Sequence, residues 1–569
     1  MRWTLKTKPS EDKIKHLAQA LNVEDFVATL LIQRGIETFE DAKNFFRPKL
    51  EHLHDPFLMK DMDKAVARIE LAIENQENIM VFGDYDVDGT TAVSLVSSYL
   101  KSHYPNIATY IPDRYAEGYG ISFKGIDFAD DNGISLIIAL DCGIKSIDHI
   151  AYAKEKNIDF IICDHHRPGE FLPDAVAVLD PKREDCFYPY DELCGCGVGF
   201  KLIQALGTNR GETIEDLIPY LDLVATAIAA DIVPITGENR VLAYFGLQVI
   251  NSDPRPGIKA LVHQVKKKTL DITDVVFIIS PRINAAGRIK HGNHAVELLT
   301  EFNFEQAQQF ASEIEQYNSD RKDLDKQITK EAFQQIIQNQ EQERFSTVVF
   351  QEDWHKGVIG IVASRLIETY YRPTLVFTKS GDKYAASARS VKGFDVYNAL
   401  DACSEHLEQF GGHIYAAGMT LKAENYIIFK QAFEKQVEQT ILPEMRTPEI
   451  EVDAEINFAD ITPKLVRILK QFEPFGPLNM TPVFMTQNAK DTGYAKTLGP
   501  EEEHLRLFVK QSGSLGTDGI AAIGFGLGKK IDIVKNQQSF QLAYSLAENE
   551  WNGTVSTQLM LKDIRTNDN

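Results

Sequence analysis

The sequence predicts an α/β protein with a doubly wound parallel-sheet domain, a long helical connector, a smaller α/β domain and a C-terminal β-barrel. Three observations carry this. Between Glu77 and Pro181 a short β-rich apolar run, a polar or acidic stretch and a helical segment recur in turn, the pattern of a parallel sheet covered on both faces. From about 293 to 343 the chain is rich in Gln, Glu and Lys and reads as helix, interrupted only near Asn303. The last 120 or so residues are strand-like and turn-rich, with Gly513, Gly516, Gly519, Gly524, Gly526 and Gly553.

In chain order, residues 1–50 are expected to form a helical N-terminal segment. The strand runs that follow are Asn78–Gly83, Ile107–Ile111, Ile134–Leu140, Ile158–Cys163 and Ala175–Leu179. Ligands of such sheets bind beyond the carboxyl ends of the strands. The unusual residues fall there: Asp84, Asp113 with Arg114, Asp141, Asp164-His165-His166 and Asp180. Residues 214–229 read as one buried helix with Asp231 just past its end. A second α/β unit starts at Ser346–Phe350 and runs to about 442, where Pro443 and Pro448 suggest a boundary.

Composition narrows the function classes. With 60 Lys+Arg against 82 Asp+Glu the formal charge is −22, which excludes a chain coated in cations to grip duplex DNA but not a local basic groove. The 569 residues suffice for three or four domains. The six cysteines include no CxxC pair and form no disulfide framework, so a reducing compartment is expected. No apolar leader and no stretch near the ~18 residues that would span a bilayer is present, which points to the cytoplasm.

Gly83-Asp84-Tyr85-Asp86-Val87-Asp88-Gly89 sets three carboxylates at alternate positions between a strand and a helix. Such crowding raises the pKa of each acid unless cations sit among them, and hard divalent ions are the natural partner. A calcium-type loop or a solvated turn is the plain alternative. An EF-hand fails, because the position of its bidentate Glu is Leu95. Asp141 alone reads as an ordinary helix cap. Two adjacent histidines after Asp164 are harder to explain by packing, and imidazole beside carboxylate moves the preference toward Mn²⁺ or another transition ion. With Asp231 the set offers ligands for two metals, the known arrangement for in-line displacement at phosphorus.

The order Asp-x-Asp-x-Asp-Gly, Asp-Cys-Gly, Asp-His-His and a later Asp resembles the DHH phosphoesterase family. Within it, several segments resemble those of its single-strand-specific exonucleases: Tyr110–Gly120, Leu193–Phe200, Asp231–Arg240, Pro281–Arg288, Trp354–Gly360, Ser387–Ser390 and Gly411–Gly418. The resemblance implies a DHH catalytic domain over 51–290, a connector over 291–345, a DHH-associated substrate-binding domain over 346–442 and an oligonucleotide-binding (OB) domain over 443–569. It makes Asp86 and Asp88 ligands of different ions, Mn²⁺ or Mg²⁺, with Asp141 as the bridge. His165 and Asp231 complete the second site and Asp84 lies near the first. His166 is then expected at the scissile phosphate, with Asp164 orienting the histidines. Arg282, Ser387 and Arg389 resemble a pocket for the 5′-terminal phosphate, Arg114 and Tyr119 contacts to the entering strand, and His413 a further substrate contact.

The expectation is thus a 5′→3′ exonuclease of single-stranded DNA that releases mononucleotides in repair and recombination. It is expected to work as a monomer, with a single-strand-binding protein as partner and no membrane. The rivals are a DHH phosphodiesterase for short oligonucleotides or cyclic dinucleotides, whose chains stop after two domains, and an inactive single-strand-binding subunit.

Overall fold

The computed structural model describes the chain except residue 264 and residues 512–518, 536–538, 552 and 568–569. Two compact units result, one of Asp55–Asp231 with Gly246–Pro448, the other of Met1–His54, Ile232–Phe245 and Glu449–Asn569.

The first unit opens with five parallel strands in the spatial order Ile107–Tyr110, Asn78–Gly83, Ile134–Leu140, Asp159–Cys163, Ala177–Leu179. Each matches one of the apolar runs. Strands buried on both faces tolerate only continuous apolar sequence, and Ile134–Leu140 is buried at all but one position. The chain leaves Asn78–Gly83 toward one edge and returns to its other side as Ile134–Leu140, so the connections diverge between these two strands. Asp84 and Asp141 stand at that divergence, where such sheets open a crevice.

The segment expected as one helix over 214–229 is divided. Ile214–Tyr220 is a 3₁₀ turn containing Pro219, and the α-helix runs Leu221–Asp231. Pro219 lacks the N–H a continuous α-helix requires. The helix also runs beyond the expected end at 229, so Asp231 is its last residue rather than just past it.

The connector consists of Asn293–Thr300 and a 35-residue helix, Phe304–Gln338, whose first turn is capped by Asn303 accepting from Gln306 N–H at 3.0 Å. Ile328, Ala332 and Ile336 of this helix share a core with Val358, Val362 and Leu366. A five-stranded sheet follows in the order Gln409–His413, Ala416–Lys422, Lys383–Arg389, Thr374–Ser380, Thr347–Phe350. Its only parallel pair is the last.

In the second unit Phe484–Asp491 pairs with both Phe540–Trp551 and His504–Gln511, which closes the sheet into a barrel. Gly513 and Gly516 lie outside the described residues. The N-terminal helices Glu11–Leu21 and Asp25–Ile32 bury Ile14, Leu17, Val27 and Leu31 in the same core as Phe472, Phe484 and Tyr544 of the barrel region. Arg240 is buried against the Phe45 ring, with its guanidinium carbon 3.8 Å from the ring centroid. It donates to the carbonyls of Phe45, Phe472, Pro474, Gln471 and Glu473. Replacement by Leu leaves several of these acceptors buried and unpaired, at ~1–3 kcal/mol each where water cannot enter. Arg240→Leu is expected to lower the stability of this unit by about 3 kcal/mol or more, measured as a downward shift of its urea midpoint. An unchanged midpoint would mean that solvent satisfies those carbonyls.

Candidate active site

The aspartate loop is shaped by its hydrogen bonds. Asp86 caps the helix Val87–His103, its carboxylate accepting from Gly89 N–H at 3.0 Å. The Gly89 backbone packs so close to Asp84 that a Cβ at 89 would lie 2.4 Å from the Asp84 carbonyl oxygen, so only glycine fits. Asp88 points the other way, accepting from Gly195 N–H at 2.6 Å and Cys196 N–H at 2.7 Å, the first amides of the helix Gly195–Arg210. A Cβ at Gly195 would meet Asp141 Cβ at 2.5 Å, so that helix start also abuts Asp141. Asp141 holds a left-handed backbone at φ 58°, a strained setting for a residue other than glycine, with its N–H on Cys163 O at 2.9 Å.

The two histidines are opposites. Asp164 accepts from the N–H groups of Ile144, His165 and His166 and from His166 Nδ1 at 2.8 Å. Against the burial that disfavours charge, these bonds hold Asp164 below the ordinary carboxylate range. They likewise lift His166, despite its burial, to about 9, so it is an imidazolium at neutral pH. Burial and the charged His166 push His165 down to about 3. The His165 ring is therefore neutral, and its Nε2 lies 3.1 Å from Asp141 Oδ1, 3.8 Å from Asp88 Oδ2 and 3.7 Å from Asp231 Oδ2.

The acids themselves are held far from their ordinary range. Burial, with the charge of Asp86, raises Asp84 well above it and Asp88 to about 7. Burial, with Asp88 and Asp86, does the same to Asp141 and brings Asp231 to about 8. Asp84 Oδ2 and Asp141 Oδ1 are buried without a hydrogen-bond partner. Unpaired carboxylate oxygens beside a neutral imidazole are what a divalent cation needs, and the residues fit one. Among the described residues the ligand atoms of Asp141, His165 and His166 lie within 4.8 Å of one another, as do those of Asp88, His165 and Asp231. Asp84 and Asp86 belong to neither group.

Around this centre the other candidates divide. Tyr119, 56% exposed, stands edge-on to both Tyr85 and His166 at 6.2 Å, an open aromatic face beside the acids. Arg114 lies over the Tyr85 ring at 4.8 Å. Ser387 and Arg389, alternate residues of one strand and so on one face, meet at 3.2 Å. They pack against Gly360 in the first turn of the helix Ile359–Thr369. Arg282 does not join them: it is bonded to Glu315 Oε2 at 2.5 Å and to Ile278 O at 2.6 Å. The arginine that does is Arg288, which donates to Gly357 O at 2.9 Å. Burial and the charges of Arg114 and Arg389 pull it down to about 10. Residues 282 and 288 share the helix Ser280–Ile289, and at ~100° per residue six positions place them on different faces. Within that one segment the structure sets Arg288, rather than Arg282, near Arg114 and Arg389. Asp180, noted in the sequence at a strand end but given no role there, is a buried acid raised to about 7 by burial whose Oδ2 has no partner. His413 closes a hairpin turn and faces His166.

A switch-point crevice lined by crowded acids and a charge-separated histidine pair defines a metal-dependent phosphoesterase of the DHH class. Family models match three stretches of the chain: the DHH family N-terminal domain over residues 78–228, the DHHA1 domain over 342–439 and the RecJ OB domain over 452–563. The chain is 37% identical to the single-stranded-DNA-specific exonuclease RecJ of Bacillus subtilis, over 99% of this chain and 70% of that one. It is 31% identical to RecJ of Escherichia coli K12, over 94% and 95%. The crystal structure of Thermus thermophilus RecJ in complex with Mn²⁺ superposes with a TM-score of 0.85 at 26% identity, covering 99% of this chain and 79% of that one. The chain belongs to the RecJ family.

The raised acids give the metal-free protein a distinctive pH response. A carboxyl whose folded pKa lies above its unfolded value stabilises fully below the unfolded pKa, and that contribution is lost as pH rises through the folded one. For Asp88 and Asp231 the loss runs from 3.8 to about 7 and about 8, and Asp84 and Asp141 act in the same direction. His166 adds to the loss near 9, whereas His165, depressed from 6.5 to about 3, opposes it. In chelator the Tm is therefore expected to be lower at pH 8 than at pH 5.5, and millimolar Mn²⁺ to raise it more at pH 8. A chelated protein whose Tm rises with pH over that span would contradict the crowding.

Proposed function

We propose that this chain is a metal-dependent exonuclease that degrades single-stranded DNA from its 5′ end and releases mononucleotides, acting in repair and recombination. One observation carries the reading: the neutral His165 Nε2 faces Asp88, Asp141 and Asp231 at 3.1–3.8 Å. The relatives' names supply the substrate class.

Asp84, Asp86, Asp88, Asp141, His165 and Asp231 would hold two divalent ions, Mn²⁺ or Mg²⁺, with Asp141 shared between them. When bound, such ions supply an activated water and charge for the leaving oxygen. The protein's own groups do the rest. Asp164 fixes His166 by its Nδ1, and the Nε2, 3.3 Å from the Tyr119 hydroxyl, would turn its N–H to an oxygen of the scissile phosphate when a strand binds. Tyr119 offers its face to the terminal base, a contact tolerant of sequence. Ser387, Arg389, Arg114 and Arg288 gather forked donors, a hydroxyl and a helix start around one spot, suited to a terminal phosphate with more charge and more free oxygens than a diester. Arg282, bonded to Glu315 and to Ile278 O, would contribute less to this pocket.

We divide the chain as above, at about 50, 290, 345 and 442. The barrel module would hold single strand, and a third module with strand-binding architecture is the feature that two-domain phosphodiesterases lack. The intact acid set speaks against an inactive subunit. No helix among the described residues is long and apolar enough to cross a membrane. Action as a cytoplasmic monomer alongside a single-strand-binding protein fits a repair role.

Asp141→Asn tolerates the left-handed backbone and removes the shared charge, and is expected to lower kcat by more than about 100-fold with Tm retained. Activity near the wild-type level would remove Asp141 from that position. Arg389→Ala and Arg288→Ala are each expected to narrow the kcat/KM ratio of 5′-phosphate over 5′-hydroxyl strands about tenfold, since a charge-assisted hydrogen bond contributes ~1.5–3 kcal/mol. Arg282→Ala is expected to narrow it less. The same loss on both kinds of strand, at fixed salt, would place the end pocket elsewhere.

A further inference from the structure

A second set of cations flanks the acids at the His166 end, and the reaction described above does not use it. Lys145 follows Ile144, whose N–H donates to Asp164 Oδ2 at 2.9 Å. Arg167 follows His166 directly. Lys182 donates its backbone N–H to Asp180 Oδ1 at 2.7 Å, at the end of the strand paired beside that of Asp164. Across from them stands His413 on its hairpin, held below the ordinary histidine value by burial and by the positive charge of His166, Lys145, Arg167 and Lys182. The Arg288 set is carried by the helix Ser280–Ile289 and the strand Lys383–Arg389, whereas Lys145, Arg167 and Lys182 follow strand ends of the parallel sheet.

Their chemistry also differs. Lys145 and Arg167 are exposed and make no ion pair among the described residues, and Lys182 only approaches Glu192 at 3.7 Å in partial solvent. On a chain of net charge −22, two unpaired cations and a loosely paired third drawn together mark a place for an anion. The Arg288 set presents forks and a hydroxyl, which suit a terminal phosphate. This rim is mostly single charges on flexible stems, which suit diesters passing with any sequence.

We propose that Lys145, Arg167, Lys182 and His413 hold the phosphodiesters on the 3′ side of the bond being cut, so that the strand lies across the acids from the arginine pocket to this rim. The inference rests on the reading of the chain as a strand exonuclease. It fixes the polarity of the bound strand: the 5′ end at Arg389, the continuing strand at Arg167.

The test uses the Mn²⁺-loaded protein and 5′-phosphorylated deoxyoligonucleotides whose first internucleotide linkage is a non-hydrolysable phosphonate. Binding is followed by fluorescence anisotropy across a salt series. A dinucleotide has no phosphate beyond the cut bond; an octanucleotide has several. For the octanucleotide the Lys145→Ala/Arg167→Ala double variant is expected to bind about tenfold more weakly. Its slope of log affinity against log salt should be shallower by about 1.4, two contacts at ~0.7 each for single strands. The dinucleotide should be affected much less, and Arg167→Lys should keep most of the slope. Unchanged slope and length dependence in the double variant would overturn the inference and leave the parent reading standing. Equal losses on both lengths would overturn the polarity. A wild-type protein that binds neither strand would overturn both readings.

Discussion

The neutral ring of His165, its Nε2 facing Asp88, Asp141 and Asp231 at 3.1–3.8 Å, is the arrangement on which the rest of the site depends. Without a cation the crowded acids keep their protons well above the ordinary carboxylate range, and the surrounding structure holds them in place. The amides at the start of the helix Gly195–Arg210 clamp Asp88, and the backbone of Asp141 is held in a left-handed conformation with its N–H on the neighbouring strand. Strain of that kind persists only where neighbours over-determine it. Here they include two glycines that admit backbone where no side chain would fit, Gly89 against Asp84 and Gly195 against Asp141.

The fold supplies this over-determination at its switch point. Two strands whose connections diverge leave a crevice that neither crossover helix covers, and successive strand ends deliver Asp84, Asp141, Asp164 and Asp180 to it. Asp231 comes from a helix end, at the residue where the chain passes from one compact unit to the other. The segment that follows, Ile232–Phe245, is anchored in the barrel unit by Arg240 and by Ile235 N–H on Pro477 O. One carboxylate of the centre is thus tied covalently to a segment whose packing belongs to the other unit. The net acidity of the chain coexists with basic groups on both flanks of the acids because charge acts over a Debye length of about 8 Å, not over the whole molecule.

What the sequence made legible follows from the range of the forces involved. The five parallel strands were readable because burial on both faces permits only apolar runs, and every acid at a strand end followed. The 3₁₀ turn at Ile214–Tyr220 was signalled by Pro219, whose missing N–H outweighed an apolar pattern that suits a single helix. Arg288 was not distinguishable from Arg282, because both lie in one segment and only the packing of the helix Ser280–Ile289 decides which face meets Arg114 and Arg389. The apolar faces of Glu11–Leu21 and Asp25–Ile32 were equally silent about their partner: amphipathicity announces that a face is buried, not what buries it. Their core-mates Phe472 and Phe484 stand more than 400 positions further on.

The adjacent histidines show how little sequence is needed to separate two roles. His165 and His166 are chemically identical, sit one residue apart and have ring centroids 4.5 Å from each other, yet one is held near 3 and the other near 9. The difference is Asp164. Its Oδ1 accepts from His166 Nδ1 and from both backbone N–H groups, which commits the carboxylate to one ring and leaves the other to be emptied of its proton by burial and by its charged neighbour. The neutral ring and the charged one are therefore set apart by the hydrogen bonds of one carboxylate, which the order Asp-His-His places at a strand end.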